Sequence, residues 1–253
     1  MPIVSDASQP VASLPHTRLM FGTLLNCAGI LLGGLAGLLT RAELPPRRQL
    51  LLKITIGVAL VWFGLKIAGT ALLAGGWRYF GRLFLILLVA MIVGRVIGRL
   101  LRFQRALNCA GKFAKEKLTS MDRNDGLLAA AILFAAAPLG VFGAVEDGLA
   151  NEWRPLLIKG AIDGLAAFAF ARVFGWRMLC AVIPVAAMQG SVSFGVRAAE
   201  PWLQMRGLID PIHVVCGFLL IYVSMIVFEI KKVDLGDYVP AIIAAPAIAW
   251  LLR

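Results

Sequence analysis

Between residues 21 and 252 the chain returns repeatedly to long apolar runs, parted by short segments that hold most of its Lys and Arg. Several runs approach the ~20 residues that an α-helix needs to cross a bilayer. Hydrocarbon offers the backbone no hydrogen-bond partner, so such runs must satisfy their own N–H and C=O groups, as helices do. Composition agrees: 60% of the residues are hydrophobic and 15% charged, where a soluble domain has about 45–50% apolar and about 25% charged residues. The expected fold class is therefore all-α, a polytopic transmembrane helical bundle of seven to eight spans. These fall at about 21–40, 51–73, 80–101, 127–145, 155–174, 178–196, 212–230 and 237–252. Residues 1–20, with Pro2, Pro10 and Pro15, read as a flexible N-terminal tail, and 21–253 as a single transmembrane domain.

Orientation follows from the cations in short loops. Arg41, Arg47, Arg48 and Lys53 lie between spans one and two. Arg99, Arg102, Arg105, Lys112, Lys115, Lys117 and Arg123 surround the segment 102–126, Arg172 and Arg177 follow span five, and Lys231 and Lys232 follow span seven. These are alternate loops, hence one side, the cytoplasmic one. Eight spans then leave both termini outside, a parity that depends on span six crossing fully and not being re-entrant. The 102–126 segment spaces Leu107, Ala110, Phe113 and Ala114 as on a helix with lysines between, which suits a basic amphipathic connector at the cytoplasmic leaflet.

The net charge of +11 would suggest nucleic acid in a soluble chain. Here the cations are spread between apolar spans and no recognition motif exists, so no nucleic acid is expected and the anionic bilayer is the partner. Cys27, Cys109, Cys180 and Cys216 are far apart and form no CxxC pair, so no metal is expected. There is no HExxH, phosphate loop or GxSxG, so neither a cofactor nor an enzymatic activity is expected.

Polar side chains inside spans carry the functional reading, because the bilayer penalises them. Pro138, Gly140 and Gly143 interrupt span four, and Glu146 and Asp147 follow. Span five carries Lys159 and Asp163 four residues apart, on one helical face. Span six contains Pro184 and then Gln189, Gly190, Ser191 and Ser193, so it reads as a second broken helix. Two Pro/Gly-broken helices in one small membrane protein point to a binding site at the break. Span one places Gly29, Gly33 and Gly37 on one face, with Asn26 beside them. That face suits close helix packing, either within the chain or across a homodimer. Segments 57–67 and 217–227 look loosely alike and are expected to run in opposite directions. Lys66 and Glu229 fall near span ends, and His213, alone, reads as an interface residue.

The segments GTLLNCAGILLGGLAGLL (22–39), GVFGAVEDGL (140–149), KGAIDGLAAFAFA (159–171) and IPVAAMQGSVSF (183–194) resemble the YqgA/YdfK-type bacterial inner-membrane family, whose function is unknown. The resemblance covers about residues 20–252 and runs through Asn26, Glu146, Asp147, Gly148, Lys159, Asp163, Gly164, Gln189 and Gly190. It implies a multi-pass protein of the bacterial inner membrane and brings no substrate with it. The activity expected from the residues is that of a transporter or channel for a small solute or ion. Asp163 with Glu146 or Asp147 would bind a cation or carry a proton, Lys159 would pair with Asp163, and Asn26, Gln189, Gly190 and Ser191 would complete the site. The alternative is a non-transporting assembly or signalling accessory protein.

Overall fold

A computed structural model describes residues 20–40, 45–120, 126–231 and 233–252. The expected tail, apart from Met20, lies outside the described residues, as do Arg41, Arg123 and Lys232. Ten α-helices and no strand are found among the described residues: α1 (Phe21–Leu39), α2 (Pro46–Leu72), α3 (Trp77–Leu100), α4 (Phe103–Ser120), α5 (Gly126–Ala136), α6 (Pro138–Ala150), α7 (Arg154–Phe174), α8 (Val182–Met205), α9 (Ile209–Val227) and α10 (Ala241–Leu251). Proline sets several starts. Pro46, Pro138 and Pro155 open α2, α6 and α7, where a missing N–H costs no intrahelical bond.

Among the described residues five helices are long and apolar enough to cross a membrane, or six if the bent pair α5–α6 is one span. The anticipated count of seven to eight is not reached on length and composition. Helix α7 has the length, at 21 residues, but carries Arg154, Lys159, Asp163 and Arg172. Helix α10 is short. The surface is the reverse of a soluble protein's. Leu24, Leu32, Trp62, Leu65, Ile92 and Ile183 are largely exposed, while Asn26, Lys159 and Gln189 are buried. Such an apolar exterior is what lipid requires.

Three helix pairs organise the bundle. Helices α1 and α7 run parallel: a Cβ added at Gly29, Gly33 or Gly37 would meet the backbone of Gly160, Gly164 or Phe168 in turn. The glycine face of α1 is thus occupied within the chain, and a homodimer through it is displaced. Helices α2 and α9 run antiparallel, with Gly64 against Gly217 and Gly57 against Phe228; the two look-alike segments are direct neighbours. Helix α3 meets the final segment, with Gly94 against Ala241 and Gly98 against Asp237. The basic segment is a helix from Phe103 to Ser120 that docks on the bundle. The Gln104 N–H donates to Asp237 Oδ1 at 3.1 Å, and the Gly236 N–H donates to Gln104 Oε1 at 2.8 Å.

Only one of the two anticipated helix breaks is present. Helices α5 and α6 bend by 56° at Ala137. Span six, by contrast, passes from a 3-10 turn over Trp176–Ala181 into an unbroken α8 that includes Gln189, Gly190 and Ser191. Pro184 falls in the first turn of α8, where no helical bond is lost.

Candidate functional site

The break between α5 and α6 creates the site. Pro138 has no N–H, so the carbonyl of Phe134, four residues earlier, loses its helical partner. Lys159 supplies one: its Nζ donates to Phe134 O at 2.9 Å. The same ammonium is bonded to the Asp163 carboxylate one turn along α7. Lys159 is 1% exposed and Asp163 5%. A buried pair of this kind is costly unless further hydrogen bonds accompany it, and the freed carbonyl supplies one to Lys159.

Asn26 on α1 and Gln189 on α8 meet beside this pair, both fully buried. Asn26 Nδ2 donates to Gln189 Oε1 at 3.1 Å. Asn26 Oδ1 and Gln189 Nε2 have no partner among the described residues. Turning both amides over would exchange which pair bonds and still leave one NH2 group and one carbonyl oxygen unmatched. Gly140 of α6 faces both halves of the site: a Cβ there would lie 2.9 Å from Lys159 Cε and 3.0 Å from Gln189 Nε2. The cluster therefore draws on α1, α6, α7 and α8.

Toward the α1 N-terminus the polar array continues. The Gly22 N–H donates to Asp147 Oδ1 at 3.2 Å. The first N–H groups of a helix have no intrahelical partner, and Asp147 caps α1 from another helix. Its Oδ2, and the hydroxyl of buried Thr23, have no partner among the described residues.

Glu146, one residue earlier, faces the other way. His213 Nδ1 lies 2.8 Å from its Oε2 and 3.0 Å from its Oε1. His213 is therefore the partner of a buried acid and not the isolated interface residue expected. Nearby, Tyr79 donates its hydroxyl proton to Asp210 at the start of α9.

The remaining residues divide. Gly190 packs under Met20 and Gly148 under the backbone of Ser193. Ser191 is not brought into the cluster: it is exposed and donates to Met188 O of its own helix at 2.8 Å. Ser193, outside the expected site residues, is buried and bonds Ala144 O of α6 at 2.9 Å. Lys66 lies 4.0 Å from Glu152, and Glu229 pairs with Lys53, both away from the site. Among the described residues no group of three or more His, Cys, Asp and Glu is placed to hold a metal ion.

Residues 21–250 match the family described as "Protein of unknown function (DUF554)". The chain is 26% identical over 235 residues to the uncharacterized membrane protein YdfK of Bacillus subtilis, covering 92% of this chain and 97% of that one. It is 23% identical over 242 residues to the uncharacterized protein YqgA of Escherichia coli, covering 92% of this chain and 98% of that one. A shorter similarity, 29% identity over 126 residues, relates 46% of this chain to 94% of a fluoride-specific ion channel, FluC, of Burkholderia cenocepacia. No solved structure matches. With nearly its whole length matched and a bundle of apolar helices, the chain is a membrane protein that belongs to the DUF554 family.

Proposed function

We propose that this protein passes a small ion across the bacterial inner membrane, as a channel or a transporter. The observation that carries the reading is the polar array at the helix break. Lys159, Asp163, Asn26 and Gln189 are buried together, and beside or near them four polar atoms, one each of Thr23, Asn26, Asp147 and Gln189, find no partner among the described residues. Unmatched buried polar atoms are costly, and those kept in a membrane protein serve an ion, water or substrate pathway by default. A small anion is the first candidate. The similarity to a fluoride-specific ion channel over 126 residues favours it, as do the donors in the array: the Lys159 ammonium, the amides of Asn26 and Gln189, and the Thr23 hydroxyl. The proposed activity is movement of an ion and not catalysis.

Eight crossings suit this reading: α1, α2, α3, the α5–α6 pair, α7, α8, α9 and α10. Successive reversals make α1 parallel to α7 and α2 antiparallel to α9, which are the directions their glycine contacts have. The end that gathers Arg47, Arg48, Lys53, Arg99, Arg172 and Lys231 is then cytoplasmic.

One observation favours the alternative of a non-transporting assembly or signalling protein: α1 and α7 meet backbone to backbone over three successive turns, which gives that seam the character of a rigid core. Thiol accessibility separates the two readings. Gln189→Cys is placed in a chain whose four native cysteines are Ser and is treated, in membrane vesicles, with a small water-soluble thiol reagent. Reaction at 189 that a small halide slows supports an ion pathway. An inert 189, with a Glu152→Cys loop control reacting normally, supports the sealed core.

A further inference from the structure

One face of the bundle carries a trench that the ion site does not use. Between α1, α2 and α7 lies an open cavity of about 730 Å³, walled by Ala28, Leu32, Ala36, Ala59, Leu157 and Ala161 among others. Its walls are almost wholly apolar, and its floor is the seam where Gly29 and Gly33 meet Gly160 and Gly164. Leu32 and Leu157 are 69% and 43% exposed, so the trench opens sideways, toward lipid. It runs on into a second cavity of about 570 Å³ between α2, α7 and the end of α9, for Ile56, Leu165 and Phe168 line both. There the chemistry changes: Gln49, Lys53 and Arg172 join the apolar wall.

We propose that the combined trench binds one anionic phospholipid of the cytoplasmic leaflet, with an acyl chain in the apolar part and the phosphate against Lys53 and Arg172. Length fits. From Leu157 to Arg172 along α7 is about 22 Å at the helical rise per residue, more than the ~15 Å of hydrocarbon in one leaflet. Charge fits as well. Arg172 lies in the last turn of α7, its guanidinium 5.9 Å from the Phe168 ring centre, and Arg47, Arg48 and Lys231 stand at the same end of the bundle. Among the described residues, Glu229 pairs with Lys53, whose ammonium holds its carboxyl below its ordinary value, and Arg47, Arg48, Arg172 and Lys231 keep this end of the bundle positive. A second copy of the chain is the poorer occupant, because lying parallel it would bring its own basic end against this one.

The test uses purified full-length protein in a neutral detergent, read by thermal unfolding and by native mass spectrometry. Dioleoyl phosphatidylglycerol is expected to stabilise the protein and remain bound as a single adduct, while dioleoyl phosphatidylcholine and glycerol 3-phosphate do neither. Arg172→Gln and Lys53→Gln should each weaken the phosphatidylglycerol effect about fivefold, the contribution of one cation near an anionic headgroup. Ala161→Phe, which blocks the acyl trench and leaves both cations in place, should weaken it too, while Arg105→Gln on α4 should not. Equal stabilisation by the two lipids overturns the proposal, as does stabilisation by glycerol 3-phosphate, which would mark a simple anion site. So does a dimer in the detergent that Ala161→Phe abolishes, which would give the trench to a second copy. If Arg172→Gln fails to fold, Lys53→Gln and Ala161→Phe carry the same decision.

Discussion

Among the described glycines Gly33 has the least room for a side chain, and its replacement by Ala tests the seam that positions the site. A Cβ at Gly33 would lie 2.0 Å from the Gly164 carbonyl oxygen, 2.5 Å from its carbon and 2.6 Å from its Cα. Carbon approaches a carbonyl oxygen to about 3.3–3.6 Å, so α1 and α7 must part by more than ~1 Å. The obstacle is backbone and cannot rotate away, which puts the overpacking cost at the upper end of its usual range, about 3 kcal/mol. Ala is the better helix former by about 1 kcal/mol, leaving a net destabilisation of about 2 kcal/mol. Gly69→Ala is the internal control. A Cβ at Gly69 meets nothing within 4 Å, so the substitution should stabilise by about 0.5–1 kcal/mol. Reversible unfolding in mixed micelles should therefore separate Gly33→Ala from Gly69→Ala by about 3 kcal/mol. If Gly33→Ala proves as stable as Gly69→Ala, the two helices are not seated backbone to backbone, and the placement of Asn26 beside Asp163 fails with them.

Further outcomes follow from individual contacts. Lys159→Met strands the Asp163 carboxylate and the Phe134 carbonyl and should cost about 3–5 kcal/mol, whereas Lys159→Met with Asp163→Leu should cost clearly less than the two singles summed, read from the same unfolding measurement. Asp147→Ala removes the cap from α1 and should cost about 1 kcal/mol, with Asp147→Asn recovering most of it. Asp237→Ala frees the Gln104 N–H at the start of α4, and hydrogen exchange at that amide should rise about tenfold while amides in mid-α7 keep their rate.

Much of the architecture was legible because hydropathy is written locally. Each of the eight apolar runs corresponds to a helix or to the bent α5–α6 pair. The Lys159–Asp163 contact was legible too, since residues four apart share a helical face. What escaped was phase and partnership. Glu146 and Asp147 were treated as interchangeable, yet adjacent helical residues point about 100° apart, and the structure sends one to α9 and the other to α1. The same rule favours Ser193 over Ser191 as the companion of Gln189, because it lies four residues on. The destination of the glycine stripe also left a trace: Gly160 and Gly164 repeat the spacing of Gly29 and Gly33. The pairing of Glu146 with His213 had no local signal, for 67 residues separate them and only the tertiary fold joins α6 to α9. Pro184 misled for a different reason. A proline breaks a helix only where an N–H was needed, and position 184 falls in a first turn.

If a small ion moves through the Asn26–Gln189–Lys159–Asp163 cluster, flux from sealed vesicles reports it. Proteoliposomes are loaded with fluoride or chloride, an ionophore clamps the voltage, and efflux is followed with an ion-selective electrode. Efflux of a small halide is expected above that of empty liposomes, reduced by Gln189→Ala and by Asp163→Asn in protein that remains folded. Efflux no greater than that of empty liposomes for every halide and for sodium, potassium and protons, or flux that both substitutions leave unchanged, would contradict it.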